Sequence, residues 1–355
     1  MLIDNPHRGI GLPAGVVDDG APVASDAGPV LALLRRCPAY AATPLVDASF
    51  LADVSSGATV HLKDERGRMG LGSFKALGAA YAIARDAVAA RPGDPSNALA
   101  GRTYVTASAG NHGMSVAAGA RVFGAEAVIF ISETVSVGIA EKLAAKGARV
   151  VREGTDYEAS MAAAARAARD HGWTLLSDST WTGYSAPARQ VMAGYLAMAD
   201  EILRTIPAPP THVFLQAGVG GFAASLLAAF RSAWDGGFKA IIVEPAFAPC
   251  LQAGISAGRP VRAEGPVSAM GRLDCKEPSH VALASLARDA DCFLTISEAE
   301  AASAAERLSV AGMPTTPSGA AGLAGILAYA QNQGGIDADA RLLAIITEAA
   351  MTRTC

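Results

Sequence analysis

The sequence predicts an α/β protein built on parallel sheets, and two observations carry that prediction. From about residue 60, short β-type runs alternate with alanine-rich helical runs along most of the chain. Those β runs are apolar throughout instead of alternating with polar residues, the pattern of strands covered by helices on both faces. At 355 residues, 51% of them hydrophobic, the chain is long enough for two domains with a large buried core.

The elements follow in order. TVHLKDE is strand-like and leads to a helix that begins near Lys75. RTYVTAS is a strand, followed by a helix from about His112; EAVIFIS is the next strand, followed by VGIAEKLAAKG. ARVVREG pairs with the helix DYEASMAAAARAARDHG, and TLLSDS with one helix through RQVMAGYLAMADEILRTI. THVFLQAG, GFAASLLAAFRSAW and KAIIVEP read as strand, helix and strand, and LLAIITEAA closes the series with a last strand.

Composition excludes several function classes. Only 17% of residues are charged and the net charge is −4, so there is no basic face for nucleic acid. The start, MLIDNPHRGIGLPAG, lacks the basic, apolar and cleavage regions of a targeting segment, and no apolar run is long enough to span a bilayer. The expectation is a soluble, cytoplasmic protein. Five cysteines without a C-x-x-C pair and six scattered histidines suggest reduced thiols and no metal site.

Open parallel sheets bind ligands at the carboxyl ends of their strands. Three loops there stand out: ASAGNHG (107–113), QAGVGGFAA (216–224) and TEAAM (347–351). In the second, Gly218, Val219, Gly220 and Gly221 let backbone N–H groups close around a phosphate at a helix N-terminus. A ligand-free turn fits as well, as does a dinucleotide loop with Glu244 as the ribose acid, although G-V-G-G is not G-x-G-x-x-G. In the first loop, Ser108, Ala109, Gly110, Asn111 and His112 suit a carboxylate, or form an ordinary turn. Lys75 follows the possible N-cap Ser73 and opens a helix that is small and apolar on nearly every face. It is either a solvated charge or a buried lysine without a helical partner, which sheds its proton and becomes the neutral amine that forms Schiff bases. An aldehyde for Lys75, a glycine cradle and a carboxylate loop together describe a pyridoxal 5'-phosphate site holding an amino acid.

The motifs Ser73-Phe74-Lys75, Ser108-Ala109-Gly110-Asn111-His112 and Gly218-Val219-Gly220-Gly221 resemble, in order and spacing, those of the fold-type II pyridoxal phosphate enzymes, the tryptophan synthase β-like fold. Within that group LKDERGRMGLGSFKALGAAYAIA, GNHGMSVA, SDSTWTGY, THVFLQAGVG, CKEPSH and SGAAGL are similar to the diaminopropionate ammonia-lyases, over about residues 40–350. The resemblance implies two parallel-sheet α/β domains with the cofactor between them: residues 1–87 with 188–355 as the large domain, and 88–187 as a smaller mobile one. It also implies a homodimer and a catabolic lyase that removes a β-substituent from a small amino acid. Lys75 is then the Schiff-base lysine and the base on the α-proton. Phe74 packs beside the cofactor, Asn111 bonds its phenolic oxygen, Gly218 to Gly221 hold the phosphate and Thr347 meets the pyridine nitrogen. Ser108 and its loop take the substrate carboxylate, with Asp178 near the substrate amine.

Two departures matter. The lyases carry an aspartate directly before the G-N-H triplet, where this chain has Ala109, and the loop then reads like that of serine and threonine dehydratases. In MGRLDCKEP, Arg272, Asp274 and Lys276 stand where the family is small or apolar, either as a solvated cluster or as a clamp for a second substrate carboxylate. The alternatives left open are an L-serine or L-threonine dehydratase, elimination from an amino acid with a second carboxylate, a nicotinamide oxidoreductase and a non-catalytic carrier.

Overall fold

The computed structural model describes residues 1–17, 21–51, 57–235, 237–333 and 336–350. Among them the strands are β1 (Leu2–Asp4), β2 (Leu45–Asp47), β3 (Thr59–Asp64), β4 (Thr103–Ala107), β5 (Glu126–Ile131), β6 (Ala148–Arg152), β7 (Thr174–Leu175), β8 (His212–Gln216), β9 (Lys239–Pro245), β10 (Cys292–Ile296) and β11 (Arg341–Ile346). They form a seven-stranded sheet of order β1-β10-β9-β8-β11-β3-β2 and a four-stranded sheet of order β6-β5-β4-β7. The smaller sheet is wholly parallel, and the larger is parallel except at its edges, where β1 pairs antiparallel with β10 and β2 with β3.

The apolar strands of the large sheet serve two cores at once. Phe214, Ile241, Val243, Leu294, Leu342 and Ala344 face one cluster, and Val213, Leu215, Ile242, Phe293 and Leu343 face the other. Period-two alternation therefore persists, but both faces are dry, which is why the sequence shows no polar side. A third cluster joins Val105, Ala107, Val128 and Phe130 of the small sheet to Ala163, Ala164 and Ala168 of the helix Tyr157–His171.

The structure adds elements that the sequence reading passes over. β1 and β2 are three residues each, too short for a periodic signal, while β10 (CFLTI) is an apolar run that the pattern offered. The run RQVMAGYLAMADEILRTI is two helices, Ala186–Gly194 and Leu196–Thr205, meeting at Tyr195. The break lies where the first helix meets the helix Lys75–Ala90 at van der Waals distance. A Cβ on Gly194 would lie 2.5 Å from the Leu77 carbonyl oxygen, and one on Gly78 2.7 Å from Val191. Only two glycines allow this approach, and it fixes the helix that begins at Lys75.

Candidate active site

The carboxyl ends of β4, β8 and β11 and the turn after β3 converge on one cavity of about 360 Å³. Lys75 is the first residue of its helix. Its approach is stitched to the end of β11: Ser73 bridges Glu348, the Phe74 N–H donates to the Thr347 carbonyl (3.2 Å), and the Ala349 N–H donates to the Gly72 carbonyl (2.9 Å). Ser73 is not the N-cap that the sequence suggests; Phe74 occupies that position, and Ser73 Oγ only accepts the Lys75 N–H at 3.4 Å. The backbone pairing with β11 already satisfies the turn, so a side-chain cap is not needed.

Of the two alternatives for Lys75, neither a solvated charge nor a neutral buried amine is what the structure shows. Its ammonium forms an ion pair with Asp178, which is 103 residues away and invisible to a helix-based argument. Burial works against the Lys75 charge, but the Asp178 carboxylate outweighs it and holds the lysine above its ordinary pKa. Burial likewise raises Asp178, and Lys75, followed by His112, overrides it and pulls the acid below the usual carboxylate range. Asp178 is located by its neighbours: the hydroxyls of Thr180 and Ser279 bond at 2.8 Å, and the Ser279 N–H donates to the Val219 carbonyl at 3.0 Å. The acid and the glycine loop are thus held in one register.

The glycine loop caps the helix Gly221–Ala233 without any side chain. Gly220 has φ +97°, in the left-handed region, and a Cβ there would meet Leu251 at 3.0 Å. At Gly218 a Cβ would lie 2.9 Å from Cys275 Sγ. The first N–H groups of the helix lack intrahelical acceptors and face the cavity, so the loop is a cradle for an anion.

On the opposite wall, Ser108 Oγ accepts the Gly110 N–H (3.2 Å), and Gly110 opens the helix Asn111–Val122, again with no side-chain cap. Asn111 Nδ2 donates to the Glu348 carboxylate, whose other oxygen accepts from Thr316. His112 lines the cavity but turns Nε2 to the Leu176 carbonyl at 2.8 Å, and burial lowers its pKa. Thr347 Oγ1 accepts from Gln216 Nε2 at 3.3 Å. The Phe74 ring contacts Tyr195 (5.0 Å) and Phe222 (4.6 Å) and forms a flat apolar wall beside Lys75.

Every residue that the sequence reading selected for the site, from Phe74 to Thr347, lines this cavity, together with Asp274. Lys276 does not; its ammonium binds Asp274 Oδ1 (2.8 Å) and the carbonyls of Phe247 and Pro266. Glu244 is excluded as a ribose ligand, because it is fully buried and caps the helix Cys250–Ala257 through the N–H groups of Leu251 and Gln252. The reading missed Glu348, Tyr157 and Cys275. Glu348 stood beside Thr347 in a loop already singled out, whereas nothing in the sequence brings Tyr157 to the cavity.

A family profile described as "Pyridoxal-phosphate dependent enzyme" matches residues 37–348. The chain belongs to the pyridoxal-phosphate dependent enzyme family. It is 32% identical to a diaminopropionate ammonia-lyase of Salmonella typhimurium, with 90% of this chain and 88% of that one covered. It superposes with a TM-score of 0.84 and 27% identity on an Escherichia coli diaminopropionate ammonia lyase in complex with an aminoacrylate-PLP azomethine reaction intermediate, covering 98% of this chain and 93% of that one. A second structure of the Escherichia coli enzyme, in complex with D-serine, gives 0.86 over the same coverage. The architecture is that of the fold-type II members, and the chain is a pyridoxal phosphate-dependent lyase. The cavity itself fits the cofactor: an uncapped helix N-terminus that a Cβ would obstruct suits the phosphate, the Phe74 wall suits the ring, and Lys75 suits the aldehyde.

Proposed function

We propose that this lyase removes the β-substituent of a small L-amino acid of the diaminopropionate type, giving a 2-oxo acid and ammonia. The observation that carries the reading is Lys75 paired with Asp178 between a glycine cradle and the Ser108–Asn111 loop. Pyridoxal phosphate supplies an aldehyde that bonds amines and an electron sink for a carbanion at Cα. The chain supplies the rest. Gly218 to Gly221 would hold the phosphate through backbone N–H groups, Phe74 and Asn111 would contact the ring, and Thr347 would offer its hydroxyl to the pyridine nitrogen. Ser108 and the N–H groups that open the helix at Asn111 would hold the substrate carboxylate in the same cavity as Lys75 Nζ. A substrate ammonium that pairs with the Asp178 carboxylate would take over the ion pair of Lys75, whose proton leaves to solvent; Lys75 would then work as a neutral amine, its Nζ taking the α-proton as the β-group departs.

The domain boundaries 1–87 with 188–355, and 88–187, belong to this reading, supported by the small sheet drawing every strand from residues 103–175. A cytoplasmic homodimer belongs to it as well. The free thiols of Cys37, Cys250, Cys275 and Cys292 agree with a reducing compartment, and light scattering tests the dimer. Among the described residues no helix is long and apolar enough to cross a membrane. The test of function is an amino-acid panel with 2-oxo acid and ammonia readouts on the holoenzyme. Turnover of L-diaminopropionate supports the reading, and water loss from L-serine or L-threonine as the dominant reaction replaces it with a dehydratase.

A further inference from the structure

We propose that Gln216 is a positioning residue: its side-chain amide fixes the direction of the Thr347 hydroxyl, so that this hydroxyl gives its proton to the pyridine nitrogen of the cofactor and keeps that nitrogen unprotonated. This rests on the placement of Thr347 in the reading above and adds the residue that controls it.

Gln216 ends β8 and Thr347 follows β11, and these strands are neighbours in the large sheet. Both residues line the cavity and both are buried. Gln216 Nε2 lies among four oxygens: the carbonyls of Ile345 (3.0 Å), Gly319 (3.3 Å) and Ser318 (3.5 Å), and Thr347 Oγ1 (3.3 Å). Carbonyls only accept, so the amide nitrogen and not the amide oxygen has to stand there. Reversing the amide would set Oε1 against three carbonyl oxygens. The orientation adopted has a cost of its own, because Oε1 is left buried without a hydrogen-bond partner among the described residues, beside Gly322, where a Cβ would approach it to 2.9 Å. Leucine or methionine would fill this place without that cost. The amide is therefore explained by what its N–H groups hold.

Nε2 carries two hydrogens. The Ile345 carbonyl takes one, and the Gly319 carbonyl and Thr347 Oγ1 share the other at equal distance. Thr347 Oγ1 is thus an acceptor on its protein side, and among the described residues this bond is the only one that Oγ1 makes. Its own proton then finds an acceptor only in the cavity. An unprotonated pyridine nitrogen satisfies it, whereas a protonated one would meet it hydrogen to hydrogen unless the hydroxyl turned round. Gln216 opposes that turn: a hydroxyl proton aimed away from the cavity meets the amide N–H groups, and the Gly319 and Ile345 carbonyls already have a donor. An unprotonated ring draws electrons weakly from Cα, so the β-group leaves before the substrate amine can be passed to the cofactor.

The test reads the ring nitrogen directly, by nitrogen NMR of the holoenzyme loaded with pyridoxal phosphate isotope-labelled at that atom, across neutral pH and with no amino acid present. The expected wild-type signal is that of an unprotonated pyridine throughout. In Gln216→Met the Thr347 hydroxyl turns to the freed carbonyls and offers lone pairs to the cavity, so the proton affinity of the ring nitrogen rises about tenfold or more. Loss of activity during turnover, restored by added pyridoxal phosphate, rises with it. Thr347→Val raises the proton affinity as well, and in that background Gln216→Met adds nothing further, a coupling that a merely structural Gln216 does not produce. Where Gln216→Met does not load the cofactor, Gln216→Leu is held to the same outcomes. A protonated nitrogen in the wild type overturns the placement of Thr347 and the proposal with it. A nitrogen that responds to Thr347→Val and not to Gln216→Met leaves the placement standing and overturns the role of Gln216. So does an effect of Gln216→Met that persists undiminished in the Thr347→Val background. Because the signal is recorded on the resting holoenzyme, these outcomes are independent of which reaction the amino-acid panel finds.

Discussion

Lys63 and Lys75 lie twelve residues apart, both largely buried and both ion-paired, yet they do different work. Lys63 is fully enclosed, 0% exposed at its side chain, and donates to Glu201 (2.6 Å) and to the Thr43 carbonyl (2.6 Å). Glu201 and Glu65 also bind Arg68, so two cations and two anions close a neutral cluster with Thr43 and Tyr40 around it. Burial lowers the Lys63 pKa despite those carboxylates. Lys75 is 22% exposed, opens on the cavity and has one carboxylate, Asp178, which raises it. The difference teaches that burial and pairing alone do not distinguish the two lysines. What sets the proposed Schiff-base lysine apart is an open side on the cavity and a single carboxylate partner. The enclosed cluster acts on the site indirectly, by fixing the turn Glu65–Gly70, where Met69 is held at φ +50°, and so the segment that delivers Lys75.

The largest effect expected from breaking this contrast is at Lys75. Lys75→Ala lowers turnover of the holoenzyme by about 10³-fold or more and removes the borohydride-sensitive imine absorbance, while far-ultraviolet circular dichroism stays that of the wild type. Turnover within a factor of ten of wild type ends the assignment. Glu201→Gln leaves Lys63 and Arg68 with one carboxylate between them, and equilibrium unfolding should register a loss of about 3 kcal/mol. A loss below 1 kcal/mol means that the cluster is dispensable.

Smaller effects sharpen the cavity side. Gly220→Asp puts a Cβ and a negative charge into the cradle, and cofactor Kd by absorbance titration should rise about 100-fold. Ordinary pyridoxal phosphate affinity in that variant makes the loop a plain turn. With Lys75 proposed as the base and only a methyl group at Ala109 to serve a second face, L-isomers should exceed D-isomers in kcat/KM by about tenfold or more, and Ala109→Asp should raise D-turnover. Comparable wild-type rates on both isomers refute this.

The smallest expected effect contrasts two buried carboxylates. Burial raises Glu201, but Arg68 and Lys63 outweigh it and bring it from 4.5 down to about 2, so its stabilisation is full above pH 4.5 and is lost as pH falls towards 2. Glu244 makes no ion pair among the described residues, and burial lifts it from 4.5 to about 8 against two backbone N–H bonds. Its contribution is full below pH 4.5 and is lost as pH rises through 8. Melting temperature should fall by a few degrees between about pH 5 and 8, and the slope should flatten in Glu244→Gln. An unchanged slope assigns the pH dependence elsewhere.

The α/β class was legible because buried parallel strands have no polar face to disguise them, as Phe214 and Ile242 show by packing on opposite sides of one sheet. The glycine loop, the Ser108–Asn111 loop and Lys75 were legible because their chemistry is local: φ +97° at Gly220 and an uncapped helix start are properties of a few consecutive residues. The single long helix over 189–206 was misread because its break at Tyr195 follows from contact with Leu77 and Gly78, more than a hundred residues away.

By itself, then, the sequence determined which residues line the cavity: a lysine after a short turn, glycines without side chains, and an asparagine opening a helix. Only the tertiary structure decided the charge state of that lysine and the neighbours of Arg272. Asp178 reaches Lys75, and Arg272 reaches Ala109, across 103 and 163 positions of sequence. Propensity and periodicity describe neighbours along the chain, whereas the Coulomb energy of a buried pair depends on distance in space, which the packing of two separate sheets fixes.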